Sequence, residues 1–150
     1  MKQQAKEKTD ALQLSCFYVG SALCGIDINL IQEMNRQMET TKVPQAPSYV
    51  LGIMNLRGRI VTIIDLGLKL GLAPSKTTET SRIIIVNSRD ENVGLLVDRI
   101  TDVVTSKWGD VESNPSNIKE VKGRCFLGTL KFPKGLIALL DIGEVLNEDL

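Results

Sequence analysis

The chain has 150 residues, 43% hydrophobic and 24% charged but only 4% aromatic, which suits one well-packed domain, or two small halves sharing an aliphatic core, and excludes two large domains. Eighteen basic residues balance eighteen acidic ones, so the cationic excess of a nucleic-acid or anionic-membrane surface is missing. No histidine occurs, which removes the commonest general base and every Ser-His or Cys-His nucleophile; Cys16, Cys24 and Cys125 form no Cys-x-x-Cys pair, so no metal site or cofactor is expected and the thiols read as buried and reduced.

Residues 1–11 are a charged, flexible tail without the apolar core of a signal sequence, and no apolar run is long enough to cross a bilayer. A cytoplasmic protein with no membrane insertion is expected. Residues 12–19 and 22–28 form an opening hairpin around Gly20-Ser21. Residues 29–34 fit either a short helical turn or an irregular strand edge. Pro44 and Pro47 punctuate the chain, Ser48 is placed to cap a short helical turn, and residues 52–56 form a strand. Asn55-Leu56-Arg57-Gly58 is a polar corner feeding the apolar run Ile60-Val61-Thr62-Ile63-Ile64, which ends at Asp65. One helical turn over 66–70 and a polar linker over 71–80 follow. A second hairpin pairs 82–87 with 93–97 across a charged turn at 88–92. Val103-Val104 continue as strand, 109–119 is loop, 125–131 pairs with 136–140, and 142–148 closes the chain as a helical segment.

The chain compares with itself. At a spacing of 76, Leu51-Gly52 falls on Leu127-Gly128, and Ile63-Ile64-Asp65-Leu66-Gly67 falls on Leu139-Leu140-Asp141-Ile142-Gly143. At a spacing of 69, Gly25 falls on Gly94, Ile28 on Val97, Ile31 on Ile100 and Glu33 on Asp102. Two related β-units of about five short strands result, over 12–75 and 76–150, with strand exchange between them allowed. The corner is where the copies part: Lys131-Phe132-Pro133-Lys134 stands opposite Asn55-Leu56-Arg57-Gly58.

Several residues carry two readings. Asp65 and Asp141, each in Asp-x-Gly, allow an acid hydrolase in which each half supplies one carboxylate of a dyad. Bulky Leu66 and Ile142 follow them, where such dyads place a small hydroxyl residue, and helix N-capping is the plainer role. Arg57 is either a solvated turn residue or a five-donor recognition group. Glu33 with Gln32 suits a solvated face, while Ile28, Ile31 and Met34 face the core or form an apolar strip on an adaptor. Val103 and Val104 point to opposite faces of a strand, leaving one of them open to a partner. Trp108 is a core plug or an interface anchor. Lys69, Lys76 and Lys119 are scattered and receive no role. No Gly-x-Gly-x-x-Gly or phosphate-loop sequence supports nucleotide binding.

Asn55 to Leu66, Gly25-Ile26-Asp27 through Gln32-Glu33, and Val93-Gly94-Leu95-Leu96-Val97-Asp98 together resemble the CheW family of chemotaxis coupling proteins, over about residues 12–146. Thr62 stands where many relatives carry proline. The resemblance implies a mainly β fold of two intertwined five-stranded Src-homology-3-like barrels, with short helical segments and a C-terminal helical turn. It implies a non-catalytic scaffold linking methyl-accepting chemoreceptors, at their cytoplasmic tips, to the regulatory domain of the histidine kinase CheA, in a motility or other chemosensory pathway. By the same resemblance Glu33, Arg57, Val103 and Val104 face the receptor and Ile28 and Ile31 face the kinase. The protein would be a monomer alone and a ring or array member in complex, recruited to membrane-associated arrays.

Overall fold

The computed structural model describes residues 7–36, 39–88, 90–113 and 123–147. β1 (Ala11–Val19) and β2 (Ala22–Asp27) form the opening hairpin, with Val19 opposite Ala22 across Gly20-Ser21. The segment that fitted turn or strand is both. A 3-10 turn over Ile28–Leu30, begun by the Asn29 N–H donating to the Asp27 carboxylate, leads into β3 (Ile31–Arg36). β4 (Val50–Leu56), β5 (Arg59–Asp65) and the one-turn helix α1 (Leu66–Lys69) come next. After the linker, β6 (Arg82–Ser88) and β7 (Glu91–Val97) approach more closely than the expected turn over 88–92 allows, with Ser88 already opposite Glu91. β8 (Arg99–Lys107), β9 (Phe126–Phe132), β10 (Gly135–Leu140) and the one-turn helix α2 (Ile142–Val145) complete the described elements.

Some local expectations fail. Ser48 caps no helix: the Val50 N–H donates to the Pro47 carbonyl in a single turn, and the β-branched start of β4 takes over. α2 stops at Val145, where Leu146 has left helical values at ψ 1°, and residue 148 lies outside the described residues. The expected loop over 109–119 begins with a 3-10 turn at Trp108–Asp110 and then a bridge from Glu112 to Thr129, while its part from 114 onward, with Lys119, lies outside the described residues.

Two five-stranded sheets result, in the orders β8-β1-β2-β10-β9 and β3-β6-β7-β5-β4. Each sheet draws strands from both sides of residue 75, so the opening hairpin of each repeat sits in the sheet built mainly by the other repeat. The repeat spacings hold in three dimensions. β5 lies parallel to β7 with Ile63 opposite Gly94, and β10 lies parallel to β2 with Leu139 opposite Gly25, which are the residues that the spacings of 76 and 69 equate. These two glycines allow close approach. A Cβ on Gly94 would stand 2.6 Å from Ile83 Cγ2 and 2.7 Å from Ile63 Cδ1, and one on Gly25 would stand 3.0 Å from Ile137 Cγ2. Isolated bridges, Thr41 to Ile53 and Glu112 to Thr129, help each sheet to curl toward closure.

Each barrel has its own interior. Met54, Val61, Ile63, Ile83 and Ile85 fill one, and their counterparts Leu130, Ile137, Leu139, Leu14 and Cys16 fill the other. A third, shared core joins the barrels through Phe17, Ile26, Ile64, Ile84, Leu95 and Leu140, with Leu66 and Leu70 at α1 and Ile142 and Val145 on α2. The interior is aliphatic, as the low aromatic content requires; Phe17 is the aromatic residue among the fully buried large side chains. The three cysteines are buried. Burial pushes the Cys16 thiol up to about 11 and the Cys24 thiol to about 12, so both stay protonated and unreactive near neutral pH.

Candidate functional site

The β4–β5 hairpin closes with Leu56 opposite Arg59, leaving Arg57 and Gly58 as a two-residue loop. Their φ angles are 51° and 81°, and a type I′ turn needs both central residues on this left-handed side. Asn55 supports the turn, its Oδ1 accepting the Gly58 N–H at 2.9 Å. Arginine at such a position costs roughly 1 kcal/mol relative to an ordinary conformation. The second corner avoids that cost differently. Pro133 aligns with Arg57, and its ring fixes φ near about −65°, so a left-handed residue cannot stand there.

Arg57 Nη2 donates to Glu33 Oε2 and forms an ion pair with it. Glu33 lies on β3, opposite Ile85, just past a bulge at Gln32. β3 and β4 are the two ends of the sheet order, so the pair spans the seam where the barrel closes. The Arg57 hydrogen bond holds the Glu33 carboxyl below the ordinary glutamate range, with help from an Asn35 hydrogen bond and the charges of Arg57 and Arg59, and against partial burial. The Arg57 side chain remains 69% exposed and that of Glu33 31% exposed, so both are still reachable by a partner. Gln32, Glu33, Leu56, Arg57, Arg59 and Asn92 line a polar recess of about 200 Å³ at this corner.

The other barrel repeats the device. Asp102, 69 residues after Glu33, accepts from Lys134 Nζ at 3.2 Å across the equivalent seam between β8 and the β9–β10 hairpin. Sequence reasoning aligned Glu33 with Asp102 but missed this pair. The signal was present in Lys134, which falls one position past the counterpart of Arg57. Both partners are about three-quarters exposed, and a lysine offers a point charge where Arg57 offers a planar fork.

The other expected residues separate. Val103 is 58% exposed on β8, while Val104 packs against the core of its own barrel, as opposite strand faces require. Val103 sits beside Asp102 and is the counterpart of Met34 beside Glu33. Glu33 and Arg57 are brought together; Val103 and Val104 stand on the corresponding edge strand of the other sheet. Ile31 is half-buried against the shared core and Ile28 is half-buried in the 3-10 turn. Met34, expected inside, is 39% exposed, because burial alternates along edge strand β3 and turns Ile31, Glu33 and Asn35 inward instead; Leu30 is exposed as well. Trp108 packs against the Leu12–Leu14 core and acts as a plug.

Asp65 and Asp141 are helix caps. Asp65 Oδ1 accepts from Leu68 N at 3.3 Å, and its two oxygens also accept from Ser75 N. Asp141 Oδ1 accepts from Glu144 N at 3.2 Å. Backbone N–H groups thus occupy both carboxylates at separate strand-to-helix junctions. Among the described residues, no group of three or more potential ligands could hold a metal ion.

The family model described as the CheW-like domain matches residues 13–150. The chain is similar to the chemotaxis protein CheW of Helicobacter pylori, at 32% identity across 99% of this chain and 88% of that protein. It is also similar to the chemotaxis protein CheW of Rhizobium meliloti, at 30% identity across 97% of this chain and 94% of that protein. Among solved structures, the scaffolding protein TtCheW from Thermoanaerobacter tengcongensis superposes with a TM-score of 0.84 at 26% identity, covering 97% of this chain and 94% of that one. With matched strands, matched seams and a family match over nearly its whole length, the chain belongs to the CheW-like domain family.

Proposed function

We propose that this protein is a non-catalytic scaffold that couples methyl-accepting chemoreceptors to the histidine kinase CheA. Family membership across residues 13–150 carries the scaffold role, and the Arg57–Glu33 pair carries the choice of receptor-facing site. A residue held in a costly backbone conformation with its charged end largely exposed fits recognition better than turn formation, for which Gly or Asn would serve. The cytoplasmic tip of a receptor meets Glu33 and Arg57 at the first corner and Val103 on β8, with Val104 supporting that strand from inside. The regulatory domain of CheA meets the segment around Ile28 and Ile31. Catalysis has no part in this reading: the chain has no histidine, and Asp65 and Asp141 each cap a one-turn helix at a separate junction.

Coupling then works by simultaneous occupancy. Two partners held on different faces of one rigid body gain effective concentration for each other, and a bias in one is passed on through the shared core. The free protein is a monomer and the bound one a member of a ring or array. No helix among the described residues is long and apolar enough to cross a membrane, so attachment to membrane-associated arrays comes through the receptor. Pull-down of receptor tips and CheA by purified Arg57→Ala, with circular dichroism as a check on folding, tests the assignment. Weakened ternary assembly with an unchanged spectrum supports it; normal assembly removes Arg57 from the site.

A further inference from the structure

Lys69 is 2% exposed in α1, whereas the residue 76 positions later, Val145, is a wholly buried aliphatic side chain on α2. The fold therefore accepts an apolar residue at this position, and the ammonium in the first copy needs its own explanation. Lys69 Nζ donates to the Asn147 carbonyl at 3.2 Å and lies 3.9 Å from the centroid of the Tyr49 ring. Both partners are neutral. The ion pairs among the described residues do not include Lys69, and a carbonyl with a ring face accounts for two of the three donors of an ammonium. A buried charge whose partners among the described residues are neutral is a costly arrangement, and an anion beside it relieves that cost.

Lys69 also lines a cleft of about 620 Å³ between β4, β5 and β7 on one side and α2 on the other, a volume that suits a small organic ligand. Val50, Ile64, Val93 and Leu146 supply apolar wall, Thr62 a hydroxyl, and Glu91 a negative charge on an exposed residue. The corresponding cleft of the other copy, bounded by Phe126, Cys24, Ala138 and Leu70, is smaller, about 270 Å³, and no charged residue lines it. Charge and room thus occur together in one copy and not in the other. We propose that the cleft beside Lys69 binds a small amphipathic monocarboxylate. The carboxylate sits on the Lys69 ammonium, the hydrocarbon body lies against Val50, Ile64, Val93 and Leu146, and Glu91 disfavours a second negative charge. This site is separate from the Arg57 corner, and its occupancy does not depend on the coupling role.

The test is titration of the full chain with hexanoate, against hexanol as the uncharged control, followed by amide chemical shifts of residues 49–69 and 143–147. Saturable hexanoate binding, at least roughly tenfold tighter than hexanol, is expected, since a charge-assisted contact separates them. Lys69→Met, which keeps the aliphatic bulk that Val145 shows to be acceptable, should bind the two equally. Glu91→Gln, on an exposed residue, should tighten hexanoate binding and keeps the proposal testable if the lysine variant fails to fold. Equal affinities in the wild type, discrimination that survives Lys69→Met, no effect of Glu91→Gln, or binding of a Glu-containing peptide but not hexanoate would each overturn the proposal.

Discussion

Arg57 stands at a left-handed position that glycine or asparagine occupies without strain, and its guanidinium reaches Glu33 on a strand 24 residues earlier. Such an exposed pair adds little to stability, and releasing the left-handed strain by Arg57→Gly offsets its loss. Arg57→Gly should therefore leave stability within about 1 kcal/mol of wild type in chemical denaturation. A larger loss would mean that the pair holds the barrel seam shut. The pair also leaves a titration signature. Because the Arg57 hydrogen bond lowers the Glu33 carboxyl, the stability it adds is present above the unfolded-state value and fades as pH falls through the folded one. In Arg57→Ala the Glu33 midpoint should rise toward an ordinary glutamate value when followed by carbon-detected NMR. An unmoved midpoint would remove the pairing from solution. The charge of Arg57 was legible in the sequence, but its partner was not, because that partner is set by the order of strands around the barrel. Lys69 was missed for a related reason: a lone lysine among leucines and glycines reads as the solvated side of a short helical turn, and its burial is set only when α1 packs against the shared core.

At the scale of elements, the repeat spacing was the most informative feature of the sequence, since the residues it equates occupy equivalent places in the two parallel strand pairs. What it could not show was the exchange of hairpins. Aligning residues along a chain says which strands are alike, while pairing depends on which apolar faces meet. Gly94 and Gly25 make the equivalence testable. An added methyl at Gly94 meets side chains at 2.6 and 2.7 Å, and at Gly25 its nearest contact is at 3.0 Å, so overpacking is more severe in the first case. Gly94→Ala should cost about 1–3 kcal/mol, and Gly25→Ala less. Denaturation midpoints measured side by side check the order, and a larger loss at Gly25 would contradict the packing described for β7. The helices were legible for a local reason, an Asp followed by a short apolar stretch. Their length was not, because one turn held by a cap and by tertiary packing has no periodic pattern long enough to read.

For the whole molecule, the shared core matters more than either barrel interior. It takes residues from β1, β2, β5, β6, β7 and β10 and from both helices, so neither barrel can open without exposing the other's apolar surface. Unfolding should be cooperative. Trp108 reports on one barrel, whereas Ile63 fills the interior of the other. Ile63→Ala, at a cost of about 2–5 kcal/mol, should move the Trp108 fluorescence transition and the circular dichroism transition together. A Trp108 transition left in place would show barrels that unfold independently. One rigid body is also what a coupling scaffold needs, because a bias felt at one face reaches another only through packed contacts. In the function proposed above, the Arg57 corner makes the chain a link between receptor and kinase. The most direct measurement is CheA autophosphorylation in the presence of receptor-containing membranes. Wild-type protein should stimulate it strongly and Arg57→Ala only weakly, with both proteins equally folded. Equal stimulation by the two, or none by the wild type with a cognate receptor and kinase, would contradict the account.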